Sequence, residues 1–251
     1  MNIEGKLIFP GNVEGKVLKY NGNFSFLGGV DPKSGILSDD NRYIGGKIFV
    51  FDSSSGSTVG SYIIYALKYY GHSPLAILCK KADETLIVGS IIAEIPSLSE
   101  IDVDIIADGD TLKIENSNVE INIEPVEVVT SILYHNGKIL ILKRSDKVST
   151  YKGKWAGVSG YKEDLSPEDA AKREIIEETG IKNPLLKKKG GYMYLRDGSR
   201  LWKIYTFLWE VNSEEINIDW EHTEYKWIYP EKIKNFDTVP GLNGAIKKLL
   251  N

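Results

Sequence analysis

The chain has 251 residues, of which 42% are hydrophobic and 26% charged, and its formal net charge is −4. So small a net charge argues against a general nucleic-acid or membrane partner. The single cysteine, Cys79, excludes an internal disulfide and suits a reducing, cytoplasmic compartment. No basic leader with an apolar run and no stretch of ~20 apolar residues is present, so we expect neither a signal peptide nor a membrane span.

The two halves differ in composition. All five tryptophans lie in the second half. Residues 1–123 hold 10 basic and 16 acidic residues (net −6), and residues 124–251 hold 21 and 19 (net +2), which sum to −4. A polar stretch at residues 116–126 separates them. These features predict two domains, at residues 1–118 and 124–251.

In the first half, apolar alternation and short apolar runs predict strands at residues 14–20, 46–51, 74–79, 101–106 and 111–114. Helices are expected from Gly60 to about Tyr70 and over residues 82–93. Because strands and helices alternate, we predict an α/β domain with a partly parallel sheet.

A Ser/Gly loop, DSSSGSTVG at residues 52–60, joins a predicted strand to a predicted helix. Such a loop presents backbone N–H groups and the positive end of a helix dipole to an anion. It lacks the Gly-Lys-Ser/Thr of an NTPase phosphate loop. The residues alone leave a satisfied turn and a binding loop equally open.

In the second half, Asn136-Gly137 predicts a hairpin between strands at residues 126–134 and 139–143. Two longer strands, at residues 185–195 and 203–211, flank an Asp197-Gly198 turn, and a closing helix is expected over residues 241–250.

A helix is predicted over residues 166–181, SPEDAAKREIIEETGI, with Ser166 as its N-cap and Gly180 at its end. Glu174, Glu177 and Glu178 crowd its last two turns, where the helix dipole and neighbouring carboxylates both disfavour negative charge. An acidic solvent face is one explanation. Three carboxylates converging on one face also suit a hard cation such as Mg²⁺, with Mn²⁺ as the alternative.

Residues 173–181, REIIEETGI, resemble the second half of the Nudix box, R-E-U-x-E-E-x-G-U, in which U is apolar. The resemblance implies a Nudix α/β/α sandwich that hydrolyses a nucleoside diphosphate linked to another group, or a related diphosphate. It makes Glu174, Glu177 and Glu178 the catalytic and metal-binding residues. The first half of the box departs from the pattern, because Leu165 stands where a Glu is expected and Gly160 is one residue too close to Arg173.

Residues 221–227, EHTEYKW, resemble an E-H-x-x-Y-x-W segment of several Nudix hydrolases. That resemblance implies Glu221 as a further metal ligand, with Glu224 as the fallback. Lys143 and Arg144 end the predicted hairpin, where the family commonly has Arg, and are expected to bind substrate phosphates. Which glutamate is the general base stays open.

Three segments of the first half, at residues 26–35, 46–62 and 82–96, resemble the small swivelling subunit of the aconitase X family, which includes archaeal phosphomevalonate dehydratase. The resemblance implies a swivelling β/β/α domain in which Ser57, within Gly56–Ser61, abstracts a proton. A separate large subunit would hold the iron–sulfur cluster, and one cysteine could not ligate such a cluster.

Three classes of function follow from these patterns. The first is a Mg²⁺-dependent Nudix pyrophosphohydrolase carrying a docking domain. The second is the small subunit of an aconitase X dehydratase in archaeal isoprenoid synthesis, with an accessory Nudix domain. The third is a non-catalytic binding or regulatory fusion. The expected partners are a small-molecule diphosphate and an aconitase X large subunit, and a homodimer is left open.

Overall fold

The computed structural model describes residues 1–251, which separate into two compact units, Met1–Glu124 and Pro125–Asn251. Both units are mixed α/β structures with extensive sheets. None of the five helices combines the length and the apolar character needed to cross a membrane.

The first unit contains eleven strands and three helices, the first of which is a four-residue turn. They are β1 Asn2–Glu4, β2 Lys6–Phe9, β3 Asn12–Lys19, β4 Asn23–Phe24, α1 Phe26–Gly29, β5 Val30–Asp31, β6 Ile36–Leu37, β7 Ile48–Ser54, α2 Val59–Tyr69, β8 Ala76–Lys81, α3 Glu84–Ala93, β9 Ser97–Ser99, β10 Thr111–Glu115 and β11 Asn118–Ile121.

A nine-stranded mixed sheet organises this unit, in the order β1-β11-β10-β3-β7-β8-β9-β2, with β4 beside β7. Its middle strands β3, β7, β8 and β9 run parallel, as the alternation of strands and helices predicted. One core cluster, which includes Phe49, Phe51, Ile64, Leu67 and Leu86, packs α2 and α3 against the sheet. Gly89 of α3 lies against Ile64 of α2, where a Cβ would meet the Ile64 side chain, so the two helices approach closely.

The predicted strand at residues 101–106 is wrong. The segment forms a 3₁₀ turn over Val103–Ile105, where Asp102 accepts a hydrogen bond from the backbone N–H of Asp104. Ile101, Val103 and Ile105 are all buried. Their spacing of two residues imitates the period of a strand although the chain makes a compact turn.

The second unit contains seven strands and two helices: β12 Val126–His135, β13 Lys138–Arg144, β14 Trp155–Ala156, β15 Val158–Tyr161, α4 Pro167–Thr179, β16 Leu185–Asp197, β17 Arg200–Glu210, β18 His222–Ile228 and α5 Leu242–Leu250. A 3₁₀ turn spans Pro230–Asn235.

Its seven-stranded sheet has the order β14-β13-β12-β17-β16, with β15 beside β12 and β18 beside β13. Two core clusters lie on the sheet. One includes Ala170, Ala171 and Ile175 of α4, and the other includes Ile246 and Leu249 of α5. Because each helix has its own core against the sheet, the unit is the α/β/α sandwich that the resemblance implied.

Helix α4 begins and ends as its sequence predicts. Ser166 accepts a hydrogen bond from the backbone N–H of Asp169 through its side chain, and Pro167 occupies the first turn. Gly180 closes the helix in the left-handed conformation, with φ of 73°. These caps fix the helix register and therefore the direction in which its glutamates point.

Candidate functional site

A cavity of about 770 Å³ lies in the second unit between the sheet and the last turns of α4. Residues of β12, β15, β17 and α4 form its walls together with the loop that follows β13. Carboxylates and cations occupy part of the wall: Glu163, Glu174, Glu177, Glu221, Arg144, Lys147 and Arg173. Another part is aliphatic and aromatic: Val128, Ile204, Val148, Leu195, Val239, Tyr151, Trp202 and Trp220.

The three glutamates in the last two turns of α4 differ in exposure. Glu177 is open to solvent, with 61% of its side chain exposed, whereas Glu174 has 12% and Glu178 only 4% exposed. Glu174 and Glu177 both line the cavity. Glu178 lies one turn beyond Glu174, on the side of the helix that faces the sheet. The three neighbouring carboxylates therefore range from solvent-exposed to buried.

Glu178 is a buried carboxylate with incomplete hydrogen bonding. Its Oε1 accepts a hydrogen bond of 3.3 Å from the backbone N–H of Ser159, but its Oε2 has no hydrogen-bond partner. The nearest basic nitrogen, Nε2 of His222, is 3.7 Å from Oε2. Burial raises the pKa of Glu178 well above its usual range, and the negative charges of Glu174, Asp219 and Glu221 add to this effect.

His222 forms a loop contact, because its Nδ1 lies 2.9 Å from Oδ1 of Asp219. Burial lowers the pKa of His222. Burial thus favours the neutral imidazole, which provides no positive charge to balance the Glu178 carboxylate.

Glu174 is held from two sides. The Arg173 guanidinium donates to Glu174 Oε1, and the bare backbone of Gly160 lies directly against the Glu174 carboxylate. Burial raises the pKa of Glu174, and Glu177 and Glu221 raise it further, while Arg173 opposes the shift. The carboxylate is thus fixed at the cavity wall in a strongly negative neighbourhood.

The donor set of this wall suits a hard divalent cation. Carboxylate oxygens are the ligands that Mg²⁺ and Mn²⁺ prefer, and a buried anionic oxygen without a partner is costly unless a cation or a proton neutralises it. Glu178 Oε2 is such an oxygen. In their present conformations no three His, Cys, Asp or Glu side chains lie close enough to hold a metal ion. The oxygen ligands therefore suit a divalent cation. Binding would require the carboxylates to move closer to one another than they are here.

The two predicted phosphate-binding residues lie in different surroundings. Arg144 lines the cavity, and its Nε donates to the backbone carbonyl of Thr150 at 3.0 Å. Lys143 is not among the cavity residues. Its ammonium lies 3.6 Å from Glu224 and over the ring of Trp155. Because successive side chains of a strand point to opposite faces, only Arg144 is directed at the cavity.

In the first unit, Ser57 lies in the loop between β7 and α2 and is exposed. Its backbone carbonyl accepts hydrogen bonds from the N–H of Gly60 (2.8 Å) and from the Thr85 hydroxyl (3.3 Å). The Ser57 hydroxyl itself makes no hydrogen bond within the chain, so it is available at the start of α2. Strand β7 extends to Ser54, which shortens the Ser/Gly loop relative to the prediction.

Two features of the cavity could not be anticipated from the sequence. The aromatic wall formed by Tyr151 and Trp202 comes from a loop and a strand far apart in the chain, and no motif marks it. Glu163 contacts Arg173 at 2.6 Å although it stands two residues before Leu165, where a carboxylate is expected. The acidic pair Glu163-Asp164 was the only sequence signal of this contact.

Comparison with known proteins gives the same division of the chain. The aconitase X swivel domain family matches residues 2–123, and the NUDIX domain family matches residues 125–249. The chain is 41% identical to the phosphomevalonate dehydratase small subunit of Thermococcus sibiricus over 129 residues, which cover 49% of this chain and 99% of that protein.

Two solved structures resemble one half each. Aconitase X of Thermococcus kodakaraensis, in its holo-form, shares 39% identity over 49% of this chain and 99% of that chain, with a TM-score of 0.48. The MutT protein of Methanosarcina mazei shares 24% identity over 51% of this chain and 95% of that chain, with a TM-score of 0.44.

Fold and sequence together define a protein in which a swivel domain precedes a Nudix domain. The chain belongs to the aconitase X swivel family through its first unit, and its second unit is a Nudix domain. The Nudix domain supports assignment of the chain as a hydrolase.

Proposed function

We propose that the second unit is a divalent-metal-dependent pyrophosphohydrolase that cleaves a nucleoside diphosphate linked to another group, or a related diphosphate. The observation that carries the proposal is the crowding of Glu174 and Glu178 beside a cavity, with one buried Glu178 oxygen left without a partner. Such an arrangement is unfavourable for the folded chain alone and becomes favourable when a cation is supplied.

Glu174, Glu177 and Glu178 would hold Mg²⁺ or Mn²⁺, with Glu221 of the cavity lining as a further ligand. When bound, the metal neutralises phosphate charge and stabilises the charge that develops during hydrolysis. Arg144 lies within the cavity and binds a phosphate oxygen through its guanidinium. One of the cavity carboxylates accepts the proton of the attacking water.

The remaining wall of the cavity receives the group attached to the diphosphate. Trp202, Leu195 and Val239 supply apolar surface there. A volume of about 770 Å³ is sufficient for a ligand of nucleotide size. The metal-binding carboxylates therefore select the diphosphate, and the apolar part of the cavity lining selects its substituent.

The test is to incubate the purified chain with a panel of nucleoside and isoprenoid diphosphates, with Mg²⁺, with Mn²⁺, or with a chelator. We expect metal-dependent release of phosphate or of a nucleoside monophosphate from at least one member. If no member of the panel is hydrolysed with either Mg²⁺ or Mn²⁺, the assignment of the second unit as a pyrophosphohydrolase is contradicted.

A second function is proposed for the first unit, as the small subunit of a dehydratase of the aconitase X type. The Ser57 hydroxyl is exposed and unpaired beside the start of α2, where the helix dipole lowers the cost of an alkoxide. Large apolar side chains are also exposed along α2 and α3: Val59, Tyr62, Tyr65, Tyr69, Val88, Ile91 and Ile92. A partner chain that covers this face would complete the site around Ser57.

Co-expression with an aconitase X large subunit tests this second function. We expect a stable complex that dehydrates mevalonate 5-phosphate or a related hydroxy acid phosphate. The Ser57→Ala variant should form the complex without activity. If no complex forms, or if Ser57→Ala is fully active, the dehydratase proposal fails and the hydrolase proposal is unaffected.

A further inference from the structure

Tyr151 connects two separate parts of the cavity lining. It lies in the loop between β13 and β14, residues 145–154, and lines the cavity. Its hydroxyl donates to Asp197 Oδ2 at 2.6 Å, and Asp197 is the last residue of β16. Burial and the neighbouring Asp197 raise the pKa of Tyr151 to about 12, so the hydroxyl keeps its proton at neutral pH. The bond therefore fastens the β13–β14 loop to the β16–β17 hairpin.

The backbone of Tyr151 has a conformation that a tyrosine seldom adopts. Its φ of 51° lies in the left-handed region, where a bulky residue is an outlier. Such strain persists where surrounding contacts specify it, and it concentrates at functional sites. Two contacts specify it here: the hydroxyl bond to Asp197, and a bond from the Lys154 N–H to the Tyr151 carbonyl at 3.2 Å. The strained backbone is therefore tied to the placement of this side chain.

The rest of the β13–β14 loop is held by Arg144. The Arg144 N–H donates to the Lys154 carbonyl at 2.9 Å, and the Gly153 N–H donates to the Arg144 carbonyl at 3.0 Å. The Arg144 Nε also donates to the carbonyl of Thr150. These bonds do not involve the Tyr151 side chain. Loss of the Tyr151–Asp197 bond should therefore leave the base of the loop and Arg144 in place.

The hairpin that Tyr151 reaches supplies apolar lining to the cavity. Leu195 stands two residues before Asp197, on the same face of β16, and is paired with Trp202 of β17. Leu195 and Trp202 both line the cavity. Because Tyr151 binds the Asp197 side chain on that face, its ring extends the apolar surface formed by Leu195 and Trp202.

We propose that Tyr151 is a specificity-determining residue: anchored by Asp197, its ring closes the cavity over the substituent of the diphosphate. The inference rests on the proposed hydrolase function, because the diphosphate is taken as the ligand. The hydroxyl proton is already donated to Asp197, so Tyr151 offers the ligand its ring. The favoured substituent is therefore apolar or aromatic. Tyr151 is not assigned a contact with the diphosphate or with the metal ion.

The test measures binding to the full chain by isothermal titration calorimetry in the presence of Mn²⁺. The probes are adenosine diphosphate, geranyl diphosphate and methyl diphosphate, each with a methylene group in place of the oxygen between the phosphorus atoms, so that none is hydrolysed. Methyl diphosphate lacks a substituent large enough to reach Tyr151. The ratio of its Kd to the Kd of the tighter of the other two probes measures the contribution of the substituent.

We expect Tyr151→Gly to lower this ratio by about tenfold or more, because it removes a large apolar contact. Glycine adopts a φ of 51° without strain, so this variant should keep its fold. Tyr151→Phe and Asp197→Ala each remove only the anchoring bond and should lower the ratio by about three- to tenfold. The double variant Tyr151→Phe with Asp197→Ala should match either single variant, because both remove the same bond.

Tyr205→Phe is the matched control. The Tyr205 hydroxyl also donates to a carboxylate, Glu127 Oε1 at 2.7 Å, but Tyr205 is not among the cavity residues. The same substitution there should leave the ratio within about twofold, since additive behaviour is expected of groups that share no partner. The Kd of methyl diphosphate should change by less than about twofold in every variant on the same grounds.

An unchanged ratio in Tyr151→Gly would overturn the inference, as would equal effects of Tyr151→Phe and Tyr205→Phe. So would a wild-type chain that binds the adenosine and geranyl probes no more tightly than the methyl probe. Hydrolysis of the panel of diphosphates is measured separately. A chain that binds the probes as expected but hydrolyses no diphosphate would refute the proposed function alone, and one that binds none of the probes would refute both.

Discussion

The α-carbon of Gly160 lies directly against the carboxylate of Glu174, so closely that a Cβ at position 160 would overlap all three carboxyl atoms. Gly160 is the third residue of β15, and its partner across the ladder is Val129 of β12. A rigid strand therefore forms the surface on which a helix carboxylate rests. This contact, together with Arg173, fixes where the most enclosed cavity carboxylate can point.

Gly160→Ala should therefore damage the site more than the fold. The added methyl must push the Glu174 carboxylate aside, and the flexible end of a side chain can move at modest cost, about 1 kcal/mol of unfolding free energy. A displacement of about 1 Å at a site can cost about 100-fold in rate. We expect metal-dependent turnover to fall at least tenfold on that basis, while urea denaturation shows a small change. Wild-type turnover in this variant would show that the position of Glu174 does not matter.

Arg144 and Lys143 offer a matched pair of neighbouring cations. Arg144 lines the cavity, whereas Lys143 pairs with Glu224 outside it. A charge-assisted hydrogen bond to phosphate contributes about 1.5–3 kcal/mol, or roughly 10–100-fold in affinity. Arg144→Gln should raise KM for the diphosphate by about that factor, and Lys143→Gln should leave it within about twofold. Equal effects of the two variants would restore Lys143 as a phosphate ligand.

The acid stability of the second unit should depend on Glu127. The Lys203 ammonium and the Tyr205 hydroxyl, with help from Lys162, hold the pKa of Glu127 at about 2. Because this pKa is depressed relative to about 4.3 in an unfolded chain, the stabilisation is present above that pH. It is lost as the pH falls towards about 2.

Denaturation curves between pH 5 and pH 2 test this dependence. The difference in unfolding free energy between wild type and Glu127→Gln should shrink as the pH falls. Glu231→Gln, which alters an exposed glutamate without ion pairs, should run parallel to wild type. A difference for Glu127→Gln that stays constant down to pH 2 would contradict the assignment.

The elements that the sequence predicted well are those whose signals are local. Helix α4 carries its own caps, Ser166 and Gly180, and the β12–β13 hairpin carries Asn136-Gly137. Such signals act within a few residues, so no knowledge of the rest of the fold is needed. The same holds for the spacing of Glu174, Glu177 and Glu178, because residues three and four apart on a helix lie side by side.

The elements that were missed depend on distant partners. Strand β11 falls inside the stretch predicted to connect the domains, and it pairs with β1 at the other end of the unit. Burial explains the false strand at residues 101–106, because a buried turn and a buried strand have equally apolar sequences. The Glu163–Arg173 pair depends on a left-handed backbone at Glu163, which no residue preference indicates for glutamate.

The central claim is that the α4 carboxylates form a metal-dependent hydrolytic site, and Glu177→Gln tests it most directly. Glu177 is exposed, so its replacement should cost the fold little, about 0.2–0.5 kcal/mol per helix pair. Glu168→Gln is the matched control, because Glu168 lies on the same helix and pairs with Lys172 and Lys189 away from the cavity. The measurement is the initial rate of Mg²⁺-dependent phosphate release from the best diphosphate of the panel. We predict near-complete loss in Glu177→Gln, with Glu168→Gln retaining the wild-type rate, and an unchanged rate in Glu177→Gln would contradict the claim.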